Sequence, residues 1–138
     1  MEDAHVQATI DAFVAHFYSF FDNRGGAMPR LADVMKCFSD KATIVRRSSA
    51  GVDLYTVGEF VLPRIELLSA GALLQFHEWE TSATTQLFDG IATRTSRYSK
   101  SGLLDGRDYS GSGTKCFQLV ELDSGWRIAA LAWVDDRA

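Results

Sequence analysis

A histidine, an arginine and a tyrosine in the middle of this 138-residue chain are the side chains best suited to acid-base chemistry. His77 lies two residues before Trp79, and Arg94 and Tyr98 follow in the next segment. An imidazole titrates near neutral pH and can give or take a proton. Beside an aromatic wall and a cation, it could bind or deprotonate an anionic ligand. His77 and Tyr98 are therefore the candidate catalytic residues.

The Asp89-Gly90 pair predicts a tight hairpin turn between these two segments. With those two residues as the loop, His77 and Trp79 share a face with Arg94 and Tyr98, while Glu78 and Glu80 lie on the opposite face with Arg97. We interpret the two glutamates as partners in a surface ion pair, worth at most about 1 kcal/mol. An acid-base pair of carboxylates is the alternative.

Two adjacent arginines in the first predicted strand could mark an anion site. Arg46 and Arg47 alternate across the strand, so only one of them can point inward, and an inward arginine is costly unless it is paired. The alternative is that both reach solvent at the strand end.

No metal or cofactor site is predicted. Asp135 and Asp136 lack a third ligand at useful spacing and are expected to form a solvated tail. The glycine-rich segment 102–113 lacks the spacing of a phosphate-binding loop.

Three helices are expected in the first half of the chain. Apolar residues recur at helical spacing over 4–22, and a second helix is expected from Pro29 to about Phe38. Thr56 and Glu59 have the spacing of a capping box that begins a third helix, which Pro63 should kink or shorten.

Strand patterns dominate the second half. Strands are expected near 42–46, 81–85, 93–98, 115–122 and 125–134, and residues 99–113 are expected to form a long loop. Helices followed by antiparallel strands predict one α+β domain, 1–138. In it, three N-terminal helices pack in the concave face of a curved, mostly antiparallel sheet, giving a cone with an open mouth.

Composition argues against several classes of function. The net charge is -4, and no run of basic residues exceeds two, which disfavours nucleic acid. No apolar stretch approaches the ~20 residues of a membrane span. Cys37 and Cys116 are expected to be buried free thiols. We expect a cytoplasmic location, because the N-terminal residues do not have the pattern of a signal peptide.

Several motifs resemble the nuclear transport factor 2-like superfamily, and within it the SnoaL-like proteins. The resemblance covers nearly the whole chain and rests on the segments 38–43, 76–78, 88–92, 117–120 and 125–129, the last followed by Trp133. It implies a cone with an apolar pocket and, commonly, a homodimer packed through the sheet. Members include isomerases, cyclases, dehydratases and modules that only bind. These motifs identify a fold and do not name a reaction.

The resemblance also locates a departure from the ketosteroid isomerase type. Members of that type place a carboxylate base at the end of the first strand, where this chain has Arg46. Their two hydrogen-bond donors fall near Phe17 or Tyr18 and near Lys115 or Cys116. The base is therefore missing, which argues against the isomerase mechanism.

Together these observations predict a homodimeric protein with a pocket for a small apolar or amphipathic molecule. Two alternatives remain open: a cofactor-free isomerase, cyclase or hydratase that uses a pocket histidine or tyrosine, and a dimerisation module whose cone is filled by its own side chains. The residues expected to line the pocket are Phe17, Tyr18, Arg46, Tyr55, His77, Trp79, Arg94, Tyr98 and Trp133.

Overall fold

The computed structural model describes residues 2–137, which form three α-helices, one 3₁₀ turn and six strands. The helices are α1 (Glu2–Ser19), α2 (Leu31–Met35) and α3 (Val57–Ser69), and the 3₁₀ turn is Arg24–Gly26. The strands are β1 (Phe38–Ser48), β2 (Gly51–Tyr55), β3 (Leu73–Leu87), β4 (Ile91–Leu104), β5 (Arg107–Leu122) and β6 (Gly125–Asp135).

The six strands form one curved sheet in the order β2-β1-β6-β5-β4-β3. All neighbours are antiparallel except β1 and β6, which run parallel. Helix α1 packs against β3, and α3 packs against β1 and β3. The predicted α+β architecture is confirmed.

An aromatic cluster joins α1 to the inner face of the sheet. Phe17 is fully buried and makes edge-to-face contacts with Phe21, Phe38 and Phe117, at centroid distances of 5.3–5.8 Å. Such pairs contribute stability beyond their buried area. This cluster fixes α1 across the sheet and fills one part of the concave side.

The third helix begins as predicted. Thr56 accepts a hydrogen bond from the Glu59 amide, and the Glu59 carboxylate accepts one from the Thr56 amide. Pro63 does not shorten the helix, which continues to Ser69. Strand β2 was not predicted.

The long loop expected over 99–113 is wrong. Strands β4 and β5 continue through this segment and are joined by Asp105 and Gly106 alone, with Leu104 paired to Arg107. Both turn residues have positive φ, 50° and 80°, as a type I′ hairpin turn requires. Serine and glycine are typical of loops, but in this segment they lie within paired strands.

A bulge in β3 changes which side chains face the helices. Between the turn and Ser82 the register is the predicted one, with Ser82 paired to Arg97. The next pair is Glu80 with Tyr98, so Thr81 is an extra residue on β3. Because side chains alternate along a strand, this extra residue moves the side chains of residues 77–80 to the other face, up to a second register shift between Leu74 and His77.

Candidate functional site

A cavity of about 420 Å³ opens between α3 and the inner face of the sheet. One side is aromatic, and the other carries charged groups of both signs. The residues that line the cavity are Phe21, Arg46, Tyr55, Glu59, Phe60, Pro63, Arg64, Leu67, Leu68, Leu73, Phe76, Glu78, Lys100, Tyr109, Lys115, Trp133 and Asp135.

The aromatic side is built from β2, α3 and β6. Tyr55 stacks on Trp133 with ring centroids 6.0 Å apart, and Phe60 meets Trp133 edge to face at 5.4 Å. The guanidinium of Arg64 lies over the Phe60 ring, 4.2 Å from its centroid. The wall therefore offers flat apolar surface beside a cation.

The charged side contains a lysine buried against a glutamate. The ammonium of Lys115 is 3.0 Å from the Glu78 carboxylate, and both side chains are buried, with 6% and 12% exposure. The same ammonium lies 3.6 Å from the centroid of the Tyr98 ring. Burial lowers the pKa of Lys115, although the charge of Glu78 opposes that shift. The pair is thus an ion pair at the edge of an enclosed space.

Asp135, the last residue of β6, holds a second set of charges beside the first. Its carboxylate accepts a hydrogen bond from the Tyr98 hydroxyl and lies 3.3 Å from the Lys100 ammonium. Arg46 approaches it less closely, at 3.9 Å. Burial alone would raise the pKa of Asp135, but the Tyr98 hydrogen bond and the charge of Lys100 lower it. Asp135 is therefore ionised and partly neutralised by its neighbours.

A separate polar network lies under α1, outside the cavity lining. Arg94 is buried and binds both Glu80 and Asp11, and the Ser96 hydroxyl donates to Glu80. The Tyr18 and Ser96 hydroxyls are hydrogen-bonded to each other at 2.8 Å. Each of these polar groups has a partner, so the network fixes α1 to the sheet.

The structure places three of the predicted pocket residues, Arg46, Tyr55 and Trp133, along the cavity. Four others are buried but do not line it: Phe17, Tyr18, Arg94 and Tyr98. Tyr98 lies behind the lining residues and contacts two of them. Its hydroxyl donates to Asp135, and its ring packs against the Lys115 ammonium.

The face predicted for His77 and Trp79 is wrong. The Thr81 bulge turns both side chains to the outer face of the sheet, where their rings stack at 4.3 Å and Trp79 is 40% exposed. The same bulge brings Glu78 and Glu80 inward, to Lys115 and Arg94. The expected surface pair with Arg97 is therefore replaced by two buried contacts.

Two smaller expectations are also corrected. Asp135 and Asp136 do not form a solvated tail, because Asp136 binds Arg97 at 2.7 Å and Ser112 at 2.7 Å. Cys37 is buried as expected, but Cys116 is exposed. No cluster of three or more metal-ligating side chains occurs within residues 2–137.

Six cavity residues with charged side chains were not proposed from the sequence as lining it: Glu59, Arg64, Glu78, Lys100, Lys115 and Asp135. For Lys115 a signal was present, since it alternates with Phe117 and Leu119, which are both buried. A lysine in phase with a buried stripe is rare enough to mark a paired or functional group.

Comparison with known proteins gives matches in structure only. No protein-family model matches the chain, and no curated protein is similar in sequence. The Kfla4162 protein from Kribbella flavida superposes with a TM-score of 0.75 at 17% identity, covering 95% of this chain and 90% of that one. A type 2 hexachlorocyclohexane dehydrochlorinase (LinA) gives 0.77 at 12% identity, covering 98% and 88%. A nuclear transport factor 2-like superfamily protein from Salmonella enterica serovar Typhimurium gives 0.74 at 10%, covering 99% and 94%.

The chain has the nuclear transport factor 2-like fold. At these identities the likeness establishes the fold alone, as the sequence motifs predicted.

Arg46, which stands at the position expected for the base, lines the cavity. The carboxylate beside it comes from β6 instead of β1, because Asp135 lies on the strand that pairs with β1. None of the helices between residues 2 and 137 has the length and apolar character to cross a bilayer.

Proposed function

We propose that this protein binds a small amphipathic molecule in the cavity between α3 and the sheet. The observation that carries the proposal is the arrangement of the lining, with an aromatic wall on one side and a charged side opposite. Ligand pockets are typically of this volume, mostly apolar and set with a few convergent polar groups.

The aromatic wall supplies affinity, and the charged groups supply orientation. Each Å² of apolar surface that a ligand removes from water contributes about 25 cal/mol before the costs of association. Because Lys115 and Lys100 already have carboxylate partners, a ligand must match this charge pattern to avoid leaving buried charges unpaired.

The experiment is a thermal-shift screen of the purified protein against a metabolite library, repeated on a variant with a filled cavity. Leu67 lines the cavity, so Leu67→Trp should abolish the shift given by any ligand that binds there. Leu62 lies on the same helix, 55% exposed and outside the lining, so Leu62→Trp is the matched control. A ligand at about 100 times its Kd contributes roughly 2.7 kcal/mol of stability.

A hit that survives Leu67→Trp would place binding elsewhere and contradict the proposal. No shift across a broad library would favour the dimerisation module, whose cone is filled in part by its own side chains. The fully buried Phe17 cluster is what that alternative rests on.

We also propose that two copies pair through the outer face of the sheet. A row of uncharged residues crosses five strands in register: Val45, Ala132, Cys116, Thr95 and Thr84. Among the outward-facing positions next to this row, the charged side chains are Arg47 and Arg97. Arg97 already forms an ion pair with Asp136. Scarcity of charge is the compositional mark of an interface core, and a second copy presents the same uncharged row.

A cofactor-free enzyme is the second candidate, favoured by one observation. The Lys115 ammonium and the Glu78 carboxylate are 3.0 Å apart at the cavity lining, and burial lowers the pKa of the lysine. Such a pair could exchange a proton with a bound molecule. Any ligand found in the screen should be followed for chemical change, and turnover that persists in Glu78→Gln would exclude this pair.

We propose a reducing compartment, the cytoplasm, as the location. Cys37 and Cys116 are both free thiols. Free thiols are typical of reducing compartments.

A further inference from the structure

Arg64 stands apart from the other cations of the cavity, because the described part of the chain gives it aromatic partners but no carboxylate partner. Its guanidinium carbon is 4.2 Å from the Phe60 centroid, 5.1 Å from that of Trp133 and 5.7 Å from that of Tyr55. Its Nη1 donates to the carbonyl oxygen of Phe60, one turn back on α3, at 2.9 Å. Stacking and this hydrogen bond hold the guanidinium at the cavity wall.

No carboxylate within residues 2–137 lies within 4.0 Å of this guanidinium. Glu59 is the acidic residue of α3 that lines the cavity, and its carboxylate is used in the capping box. Burial lowers the pKa of Arg64, and Tyr55 raises it by a smaller amount. A guanidinium has five N–H donors. The side-chain contacts described above include one hydrogen bond, to the carbonyl oxygen of Phe60, so most of the donors remain available to an acceptor that enters the cavity.

The remaining charges of the cavity limit what that acceptor can be. Lys115 is paired with Glu78, and Lys100 with Asp135, while Arg46 shares Asp135 at the longer distance of 3.9 Å. Four basic and three acidic side chains line the space, so one positive charge is in excess. A single negative charge balances it, whereas a dianion would overcompensate and meet Glu78 and Asp135.

We infer that the ligand is an aromatic monocarboxylate, whose carboxylate binds the guanidinium of Arg64 and whose ring packs along Phe60, Trp133 and Phe76. The planar fork of a guanidinium matches a carboxylate in a two-bond arrangement, and the flat wall matches an aromatic ring. This inference rests on the proposed function and names the chemical class of its ligand.

The test compares naphthalene-2-carboxylate with naphthalene-2-carboxamide, which has the same ring without the charge, by isothermal titration calorimetry. We expect the acid to bind the wild-type protein at least about tenfold more tightly, the size of one charge-assisted hydrogen bond. Arg64→Gln should remove that difference by weakening the acid alone. Arg64→Lys keeps the charge but loses the fork, and should recover only part of it.

Arg47→Gln is the matched control, because Arg47 is the exposed neighbour of Arg46 and lies outside the lining. It should leave both affinities unchanged. Circular dichroism and thermal unfolding of each variant establish that it is folded.

Equal binding of acid and amide would overturn the inference and leave the proposed function standing, since the cavity would still take the ring. Loss of both ligands in a folded Arg64→Gln variant would also overturn it, because the arginine would then support the wall instead of the carboxylate. If neither compound binds the wild-type protein, the inference that the ligand is an aromatic monocarboxylate is overturned. The library screen separately decides whether the cavity binds anything.

Discussion

At the scale of single residues, the main feature is a group of charges that the fold has taken out of water. Lys115 and Glu78 form a buried pair, and Tyr98 joins this pair to Asp135. Removing a charge from water costs several kcal/mol, so each of these buried charges is tolerated only while its partner is present. This dependence makes the group testable one side chain at a time.

Glu78→Gln should lower the free energy of unfolding by about 3 kcal/mol, because it leaves the Lys115 ammonium buried without its partner. Urea unfolding followed by circular dichroism measures the loss. The double variant Glu78→Leu/Lys115→Met removes both charges and should restore most of the stability. A loss below about 1 kcal/mol in the single variant would mean that water reaches the ammonium, contrary to its 6% exposure.

Asp135 should contribute a part of the acid sensitivity of this protein. Its pKa is lowered in the folded state, so its stabilising contribution is present above the unfolded pKa of about 3.9 and is lost as the pH falls through the folded value. The free energy of unfolding should therefore decrease less between about pH 5 and pH 2 in Asp135→Asn than in the wild type.

Urea titrations across this pH range provide the measurement, with Asp123→Asn in the exposed turn between β5 and β6 as the control. If the two variants show the same pH dependence as the wild type, Asp135 is not the linked group.

At the scale of the elements, irregularities in the strands decide what the cavity contains. The extra residue Thr81 exchanges the faces of residues 77–80 of β3, bringing Glu78 and Glu80 inward and turning His77 outward. Gly113 on β5 allows the Tyr98 side chain and strand β6 to approach closely. A β-carbon at this position would lie 2.5 Å from the carbonyl oxygen of Val134 and would also meet the Tyr98 hydroxyl.

Gly113→Ala should destabilise the protein by about 1–3 kcal/mol, because the methyl group has to displace β6 or the Tyr98 side chain. The matched control is Gly58→Ala on α3, where a β-carbon would meet nothing within 4 Å. That change should be neutral or stabilising by about 0.5–1 kcal/mol, as expected within a helix. Thermal and urea unfolding compare the two variants, and equal stability would show that β5 and β6 can separate without cost.

At the scale of the whole molecule, the two faces of the sheet have different occupants. The inner face holds the helices and the cavity, while the outer face carries the uncharged row that includes Ala132 and Cys116. The proposed dimer would cover this outer face with the same face of a second copy.

Ala132→Glu should convert the proposed dimer to a monomer, because the carboxylate would be buried at the centre of the interface without a partner. Size-exclusion chromatography with light scattering gives the mass. Ala12→Glu, an exposed position on α1, should leave the mass unchanged. A wild-type protein that is monomeric at all concentrations, or a dimer that tolerates Ala132→Glu, would contradict this interface.

The fold class and most of the elements follow from the sequence, but strand β2, the short length of α2 and the paired strands over 99–113 do not. Helical spacing in α1, the capping box of α3 and the strand patterns around Trp126 and Trp133 depend on neighbours within one element, so they can be detected without tertiary contacts. It also placed Arg46 and Arg47 on alternate faces, which is a property of any strand.

Which side chains meet at the cavity depends on strand register and on contacts between distant parts of the chain. His77 and Glu78 lie on the faces opposite to those predicted, because the unpaired residue Thr81 shifts the alternation of side chains along β3. Nothing in the local sequence distinguishes a bulged threonine from a paired one. Arg64 and Trp133 come from α3 and β6, which are far apart in the chain and meet only when the sheet curves around the helix. The chemistry of the cavity thus depends on register and long-range packing, whereas the fold follows from local pattern.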